Sequence, residues 1–269
     1  MPLGFYIIMA AQFFSALADN SLLIVAIAVL REMHAPSAYE PLLKTFFTVS
    51  YVVLAGFVGA FADSMPKWRV MFISNTIKIL GCSMMFFNMH PLFAYAIVGL
   101  GAAAYSPAKY GILTEYLPHR LLVVANGWIE GLTVGAIILG VVIGGTLIQP
   151  TVASRLLGFD FPILETGIDT ISEMALVFVA AFYIIASIFN LYIPETGVDH
   201  KALHKNPWHL IREFNHCMIL LWRDRLGQVS LAVTTLFWGA GATLQFIVIK
   251  WAEAALHLDL SKSSMLQGV

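Results

Sequence analysis

Seven runs of mainly apolar residues constrain this chain more than any other feature, because each approaches the roughly 20 residues that cross a bilayer as a helix. Of the 269 residues, 59% are hydrophobic and 12% are charged, whereas soluble domains are about a quarter charged. We therefore expect an all-α integral membrane protein. The runs cover residues 3–30, 44–61, 70–89, 92–113, 127–148, 173–193 and 228–250.

The composition and the motifs also exclude several classes of function. A net charge of −1 offers no basic face for nucleic acid. The sequence contains no GxxxxGK[ST] phosphate loop, no HExxH motif and no cysteine spacing typical of a metal site. We therefore expect no nucleic-acid partner, no metal, no cofactor, no catalytic residues and no enzymatic activity.

The distribution of basic residues among the loops predicts the orientation of the chain. Loops on one side of the predicted spans carry most of the lysine and arginine, and cytoplasmic loops are enriched in both. We therefore expect these loops, and the N-terminus with them, to lie in the cytoplasm. The basic residues on that side are Lys67, Arg69, Arg120, Lys201, Lys205, Arg212, Arg223 and Arg225.

The order of the spans divides the chain into three units. Residues 1–193 hold six spans, residues 194–227 form a polar central loop, and residues 228–269 begin with the seventh span. Within the loop, apolar residues recur at helical spacing from Trp208 to Trp222, which predicts an amphipathic helix on the inner membrane surface. Such a helix serves either as a linker between transmembrane halves or as a docking site for a partner.

Polar residues near the middle of two predicted spans are candidates for substrate binding. Asp19 and Asn20 lie in the first span, and Lys78 lies in the third. A charge at the bilayer centre costs about 2.5–3.5 kcal/mol on insertion scales, and such residues usually face a ligand, an ion path or a partner. We expect Asp19 and Asn20 to bind substrate. Lys78 either contacts substrate or forms a structural ion pair with Asp19 or Glu130.

The fourth run contains the unusual stretch GLGAAAYSPAKYGIL. Gly101, Tyr105 and Lys109 share one helical face there, and Pro107 can open the helix locally. Lys109 and Tyr105 are further candidates for substrate binding, together with Glu130 in the next span. Alternatively, Lys109 pairs with Glu130 or extends its ammonium group to the lipid headgroups.

Small and polar residues give the fifth and seventh runs distinct faces. Glycines of the fifth run repeat every fourth residue in two sets, a set of three followed by a set of two. This spacing lets helices approach closely, so we expect the glycines to pack against neighbouring helices. The seventh run carries polar and small residues along one side, with Gln245 as a candidate binding residue on a cavity face. The glycines are Gly127, Gly131, Gly135, Gly140 and Gly144, and the residues of the seventh run are Thr234, Trp238, Gly241 and Gln245.

The loop between the second and third spans resembles the loop motif of the major facilitator superfamily. It has Gly59, then Asp63 four residues later, then Lys67 and Arg69 after a turn. The resemblance implies a conformational latch rather than a binding site, and we expect Glu115 to pair with Lys67 or Arg69. The loop departs from the family pattern at Ser64, Pro66 and Trp68.

Together with Asp19-Asn20, the GAAAYSPAKYGIL run and the stretch FWGAG, this loop resembles the bacterial lysophospholipid transporters, a major facilitator family. The resemblance implies two six-helix halves, of which this chain holds the first, the central loop and the seventh helix of an expected twelve. It implies a multi-pass protein of a Gram-negative inner membrane. The resemblance also implies a basic residue near the position of Gln245, and this chain departs from it there.

The resemblance also implies the substrate and a partner. Lysophosphatidylethanolamine would move from the outer to the cytoplasmic leaflet by alternating access, and an acyl-carrier-protein synthetase/lysophospholipid acyltransferase, separate or fused, would re-acylate it. Lys78 or Lys109 would pair with its phosphate, and Asp19 or Glu130 with its ammonium. A facilitator of another amphiphile or drug, a seven-helix receptor or light-driven pump, and a membrane-bound lipid enzyme remain alternatives.

Overall fold

A computed structural model describes residues 1–157, 170–199 and 207–268, without the side chains of 155–157 and 268. All regular structure in these residues is helical. Two of the basic loop residues from which the orientation was predicted lie outside the described residues, namely Lys201 and Lys205. The helices are α1 (Leu3–Glu32), α2 (Tyr39–Asp63), α3 (Lys67–Phe86), α4 (Pro91–Tyr116), α5 (His119–Leu147), α6 (Pro150–Leu157), α7 (Ile171–Leu191), α8 (Pro207–Arg223), α9 (Arg225–Leu256) and α10 (Leu260–Met265).

Six helices of the described part are long and apolar enough to cross a membrane, namely α1, α2, α4, α5, α7 and α9. The third predicted span forms α3, which has 20 residues but is more polar because it contains Arg69, Asn75 and Lys78. It still lies within the bundle, because it packs along both α4 and α7. The predicted all-α integral membrane fold is confirmed, and each predicted span corresponds to one of these helices.

The helix contacts repeat with an internal symmetry. α1 packs mainly against α5 and α7, α4 packs mainly against α2 and α3, and α3 also contacts α7. Exchanging α1, α2 and α3 for α4, α5 and α7 reproduces the same set of contacts. Because α1 and α4 begin at opposite ends of the bundle, the two three-helix units are inverted repeats, an arrangement found in secondary transporters.

Two glycines of α5 allow the close contact between α1 and α5. A Cβ atom on Gly140 would lie 2.6 Å from the backbone oxygen of Leu17, and one on Gly144 would lie 2.8 Å from that of Ser21. The packing prediction therefore holds for these two residues. It does not hold in the described part of the chain for three others, which have no atom within 4 Å of an added Cβ: Gly127, Gly131 and Gly135.

We call the end of the bundle where α1 begins the inner face and the opposite end the outer face, following the predicted orientation. The predicted amphipathic helix is α8, which packs against α2 through Ile211 and Phe214, beside Gly56. Trp208 and Trp222 of α8 are exposed. α8 therefore has one side on the bundle and apolar residues available to a membrane surface.

Candidate functional site

An ion pair between α1 and α3 lies at the centre of the bundle. The Lys78 ammonium is 2.8 Å from Oδ2 of Asp19, and the side chains are 2% and 20% exposed, respectively. The structural ion pair with Asp19, one of the two alternatives for Lys78, is therefore present. Asp19 keeps part of its carboxylate accessible, whereas Lys78 is enclosed by its neighbours.

Hydrogen bonds from α1, α3 and α7 fix this pair. The Tyr183 hydroxyl donates to Oδ1 of Asp19 at 2.8 Å. Lys78 also donates to Oγ of Ser15 at 2.9 Å, and the Ser15 hydroxyl donates to Oδ1 of Asn75 at 2.8 Å. Each oxygen of the Asp19 carboxylate therefore has a donor from a different helix, which holds the carboxylate in one orientation.

The face of α4 that carries Gly101, Tyr105 and Lys109 packs against α3. A Cβ on Gly101 would lie 2.6 Å from the backbone oxygen of Ser74, so the two helices touch at this position. One turn later, the Tyr105 ring centroid is 5.0 Å from Nζ of Lys78, a cation–π contact. The Tyr105 hydroxyl is buried without a hydrogen-bond partner in the described residues. α4 continues through Pro107 without a break.

Lys109 differs from Lys78 because its ammonium forms no ion pair with the described residues. The residue is 7% exposed. Its Nζ lies 4.2 Å from the ring centroid of Tyr110, whose hydroxyl donates to Oε1 of Glu130 at 2.6 Å. The predicted direct pair between Lys109 and Glu130 is absent from the described part of the chain, where the Glu130 carboxylate instead accepts a hydrogen bond from Tyr110.

Asn20 and Gln245 lie apart from the ion pair, in a cleft of about 410 Å³. The Asn20 side chain donates to the backbone oxygen of Ala16 at 2.8 Å. The predicted cavity face of the seventh span is present for Trp238, Gly241 and Gln245, while Thr234 is not part of the cleft lining. The sequence-predicted residues therefore form two groups, one around Asp19 and one in this cleft.

The predicted latch residues form a charged cluster at the inner face. Lys67 is buried and lies 2.6 Å from Oδ1 of Asp63 and 3.4 Å from Oε1 of Glu115. The pairing of Glu115 is therefore with Lys67. Arg69 instead stacks on Trp68, with its guanidinium carbon 5.0 Å from the ring centroid. Gly59 has no atom within 4 Å of an added Cβ in the described part of the chain.

A second charged cluster, the outer ion network, joins α1 and α2 to α9 at the outer face. Arg31 lies 2.9 Å from Glu40 and 2.7 Å from Glu253. Lys250 lies 2.8 Å from Glu40 and 3.5 Å from Glu253. The two basic and two acidic side chains thus connect the six-helix unit to the seventh span. The sequence pattern did not predict this network.

Other residues of the site were also missed. Tyr183 was one aromatic residue among many in its run, although a buried tyrosine hydroxyl usually has a hydrogen-bond partner. Lys44 and Gln267 line the cleft beside Gln245. Lys44 is the first residue of a predicted span, and basic residues are common at that position.

The sequence comparisons agree with this architecture. The Major Facilitator Superfamily model matches residues 8–269. A Lysophospholipid transporter LplT of Yersinia enterocolitica is 40% identical over 255 residues, 95% of this chain and 58% of that protein. Proteins of the same name from Serratia proteamaculans and Yersinia pestis are 40% identical over 251 residues, 93% of this chain and 58% and 57% of theirs.

The chain therefore spans less than three fifths of the length of these curated relatives. The family match, in contrast, covers nearly all of this chain and includes every membrane-spanning helix described above. The chain belongs to the Major Facilitator Superfamily.

Proposed function

We propose that this chain forms the first half, the central loop and the seventh helix of a lysophospholipid transporter. Residues 1–193, 194–227 and 228–269 are these three units. The transporter moves lysophosphatidylethanolamine from the outer to the cytoplasmic leaflet of a bacterial inner membrane, with its N-terminus in the cytoplasm. The similarity to LplT proteins of three bacteria supports this proposal.

One observation carries the proposal: the interior of the helix bundle holds both a partly accessible carboxylate, that of Asp19, and a buried lysine without an ion pair among the described residues, Lys109. Asp19 keeps 20% of its side chain exposed within its ion pair with Lys78, and the Lys109 ammonium lies over the ring of Tyr110, which is hydrogen-bonded to Glu130. The headgroup of lysophosphatidylethanolamine has one ammonium and one phosphate. The two charges of the site match the two charges of that headgroup.

Each candidate residue has a proposed role in this site. Asp19 pairs with the substrate ammonium, and Lys109 pairs with the phosphate. Lys78 is a positioning residue, because it is enclosed and holds Asp19. Glu130 acts through Tyr110, which packs under the Lys109 ammonium. Tyr105 supplies a hydrogen bond near the headgroup, while Asn20 and Gln245 supply hydrogen bonds to the substrate in the neighbouring cleft.

Alternating access requires contacts that form on one side of the membrane and break on the other. The inner cluster of Asp63, Lys67 and Glu115 is the proposed latch at the inner face, with Gly59 and Arg69 flanking it. The outer ion network holds α9 against α1 and α2, so it closes the outer side. Opening toward the outer leaflet would therefore require the outer ion pairs to separate.

The proposed pathway includes a partner enzyme. Lysophosphatidylethanolamine delivered to the cytoplasmic leaflet needs an acyl group to become a bilayer phospholipid again. An acyl-carrier-protein synthetase/lysophospholipid acyltransferase would supply it, either as a separate protein or as a fused domain. The transporter itself would carry out no chemistry.

Uptake of labelled lysophosphatidylethanolamine by spheroplasts tests the proposal. Asp19→Asn and Lys109→Ala are expected to reduce uptake at least tenfold, since a hydrogen bond to a charged group contributes about 1.5–3 kcal/mol. Lys262→Ala is the matched control, because Lys262 is exposed and its side chain forms no ion pair or hydrogen bond with the described residues. Full uptake by both site variants would refute the site.

A competition panel tests the substrate class separately. Unlabelled lysophosphatidylethanolamine should compete with the labelled lipid, whereas cationic amphiphiles that lack a phosphate should not. Equal competition by both would point to a facilitator of general amphiphiles instead.

A further inference from the structure

The cleft that contains Asn20 and Gln245 also contains a basic residue to which no role has yet been given. The cleft lies among α1, α2, α5 and α9, and its polar lining consists of Asn20, Lys44, Gln245 and Gln267. Lys44 belongs to the second turn of α2. It is the basic side chain of this lining, and no acidic side chain accompanies it there.

The Lys44 ammonium has no ionic or hydrogen-bonding partner in the part of the chain that the structure describes. Its closest described interaction is with the ring of Phe47, whose centroid is 5.5 Å from Nζ. The carboxylate of Asp19 forms its ion pair with Lys78. The residue is half-buried. A lysine in this situation is stabilised by water or by an anion in the cleft.

The part of the cleft that α9 contributes also has unsatisfied hydrogen-bonding capacity. The side-chain nitrogen of Gln245 is buried and has no partner among the described residues. Its backbone oxygen accepts a hydrogen bond from the side chain of Gln267 at 2.9 Å, which fixes the backbone of α9 at this point. An amide donor and an ammonium group therefore line one cleft and lack acceptors.

We propose that Lys44 and Gln245 form a phosphate subsite for the lysolipid headgroup, on the outer side of the site around Asp19. This inference rests on the proposed function, since it assigns a second position to the same substrate. A phosphate oxygen accepts hydrogen bonds from both donors, and its negative charge pairs with the ammonium.

The positions of Lys44 and Lys109 along their helices indicate at which stage of transport the subsite would be occupied. At a rise of 1.5 Å per residue, Lys44 lies about 8 Å from the outer end of α2, and Lys109 lies about 10 Å from the inner end of α4. Asp19 lies near the middle of α1. The headgroup phosphate would meet Lys44 first and Lys109 later, while Asp19 remains within reach of the substrate ammonium.

A second interpretation of Lys44 is that its side chain extends to lipid headgroups at the outer surface. Under that interpretation Lys44 does not contact transported substrate, and its replacement leaves the KM for lysolipid unchanged. The subsite predicts a rise in KM instead. The two interpretations therefore differ in a measurable quantity.

The test uses the full-length protein in proteoliposomes, with lysophosphatidylethanolamine as substrate. Lys44→Gln should raise the KM about tenfold, the equivalent of one lost charged contact. Lys44→Arg, which keeps the charge, and Lys262→Gln, an exposed lysine elsewhere, should both keep the parental KM. A parental KM in Lys44→Gln would overturn the subsite.

A charge exchange across the cleft gives a second readout that a structural role would not produce. Gln245→Lys combined with Lys44→Gln moves the ammonium from α2 to α9 within the same cleft, so the KM should return to within about threefold of the parental value. Failure of the exchange to lower the KM of Lys44→Gln would contradict a shared phosphate site. A thermal unfolding temperature equal to the parent in each variant excludes loss of folding.

Two controls separate the sources of failure. Inorganic phosphate at the lysolipid concentration should not inhibit uptake, and inhibition would assign the subsite to free phosphate instead of a lipid headgroup. Absence of lysolipid uptake by the parental protein would refute the proposed function itself. Parental uptake with an unchanged KM in Lys44→Gln would refute the subsite alone.

Discussion

The Asp19–Lys78 ion pair leads to a prediction in which substitutions affect the stability of the protein and its transport activity differently. The pair is 2.8 Å long, and the Lys78 side chain is only 2% exposed. Asp19→Asn would leave Lys78 as an uncompensated buried charge, and breaking a buried pair in this way costs about 3–5 kcal/mol. The expected fall in the thermal unfolding temperature is on the order of 10 °C.

Removing both charges should reverse the loss of stability without restoring transport. Replacement of a buried pair by neutral side chains of similar volume is often neutral for stability, so Asp19→Asn with Lys78→Met should unfold within a few degrees of the parent. Lysolipid uptake should stay low, because the carboxylate that binds the substrate ammonium is absent. Thermal unfolding followed by tryptophan fluorescence and uptake in proteoliposomes measure the two quantities.

Two results would refute this reasoning. An Asp19→Asn variant as stable as the parent would mean that the ion pair does not stabilise the bundle. A double variant with full uptake would mean that Asp19 does not bind substrate. Tyr183→Phe serves as a milder comparison, because it removes one hydrogen bond to Asp19 and keeps both charges.

Two further predictions concern packing and gating. Gly101→Ala should lower the unfolding temperature in the same fluorescence assay, because the added Cβ would lie 2.6 Å from a backbone oxygen of α3. Gly131→Ala is the control and should leave the temperature unchanged, because no atom of the described residues lies within 4 Å of its added Cβ. Equal effects of the two substitutions would contradict the close α3–α4 contact. Glu40→Gln should weaken the outer ion network and increase maleimide labelling from outside at Gln245→Cys several-fold. Glu32→Gln is its control, since Glu32 contacts α7 and not α9, and equal labelling of both variants would contradict a closing role for the network.

The membrane fold was predictable because a bilayer requires long apolar segments, and these are visible in the sequence. α3 shows the limit of that rule. Lys78 makes the helix polar, yet α4 and α7 surround it, so protein rather than lipid is its immediate environment. Hydropathy describes the average environment of a helix, and neighbouring helices decide where each side chain lies.

The charged residues of the candidate site could be predicted from the sequence, but the ion pairs that they form could not. Asp19, Lys78 and Lys109 stand out in the sequence because charges are rare in apolar runs. Which carboxylate a lysine reaches depends on helix rotation. The structure pairs Lys78 with Asp19 and gives Lys109 no ion pair among the residues that it describes. Lys44 was missed because α2 begins at Tyr39, five residues before the predicted span, which places the lysine inside the helix.

The polarity of α3 also bears on how the protein is made. A helix with a lysine in its middle enters the bilayer poorly from the translocon by itself. The partner of Lys78 lies 59 residues earlier in the chain, so the α1 carboxylate has already been synthesised when α3 emerges. Tyr183 arrives last and completes the carboxylate's hydrogen bonds. Asp19, which we propose binds the substrate, would thus first pair with Lys78 while α3 inserts into the membrane. The same carboxylate would therefore serve both the biogenesis of this protein and its transport site.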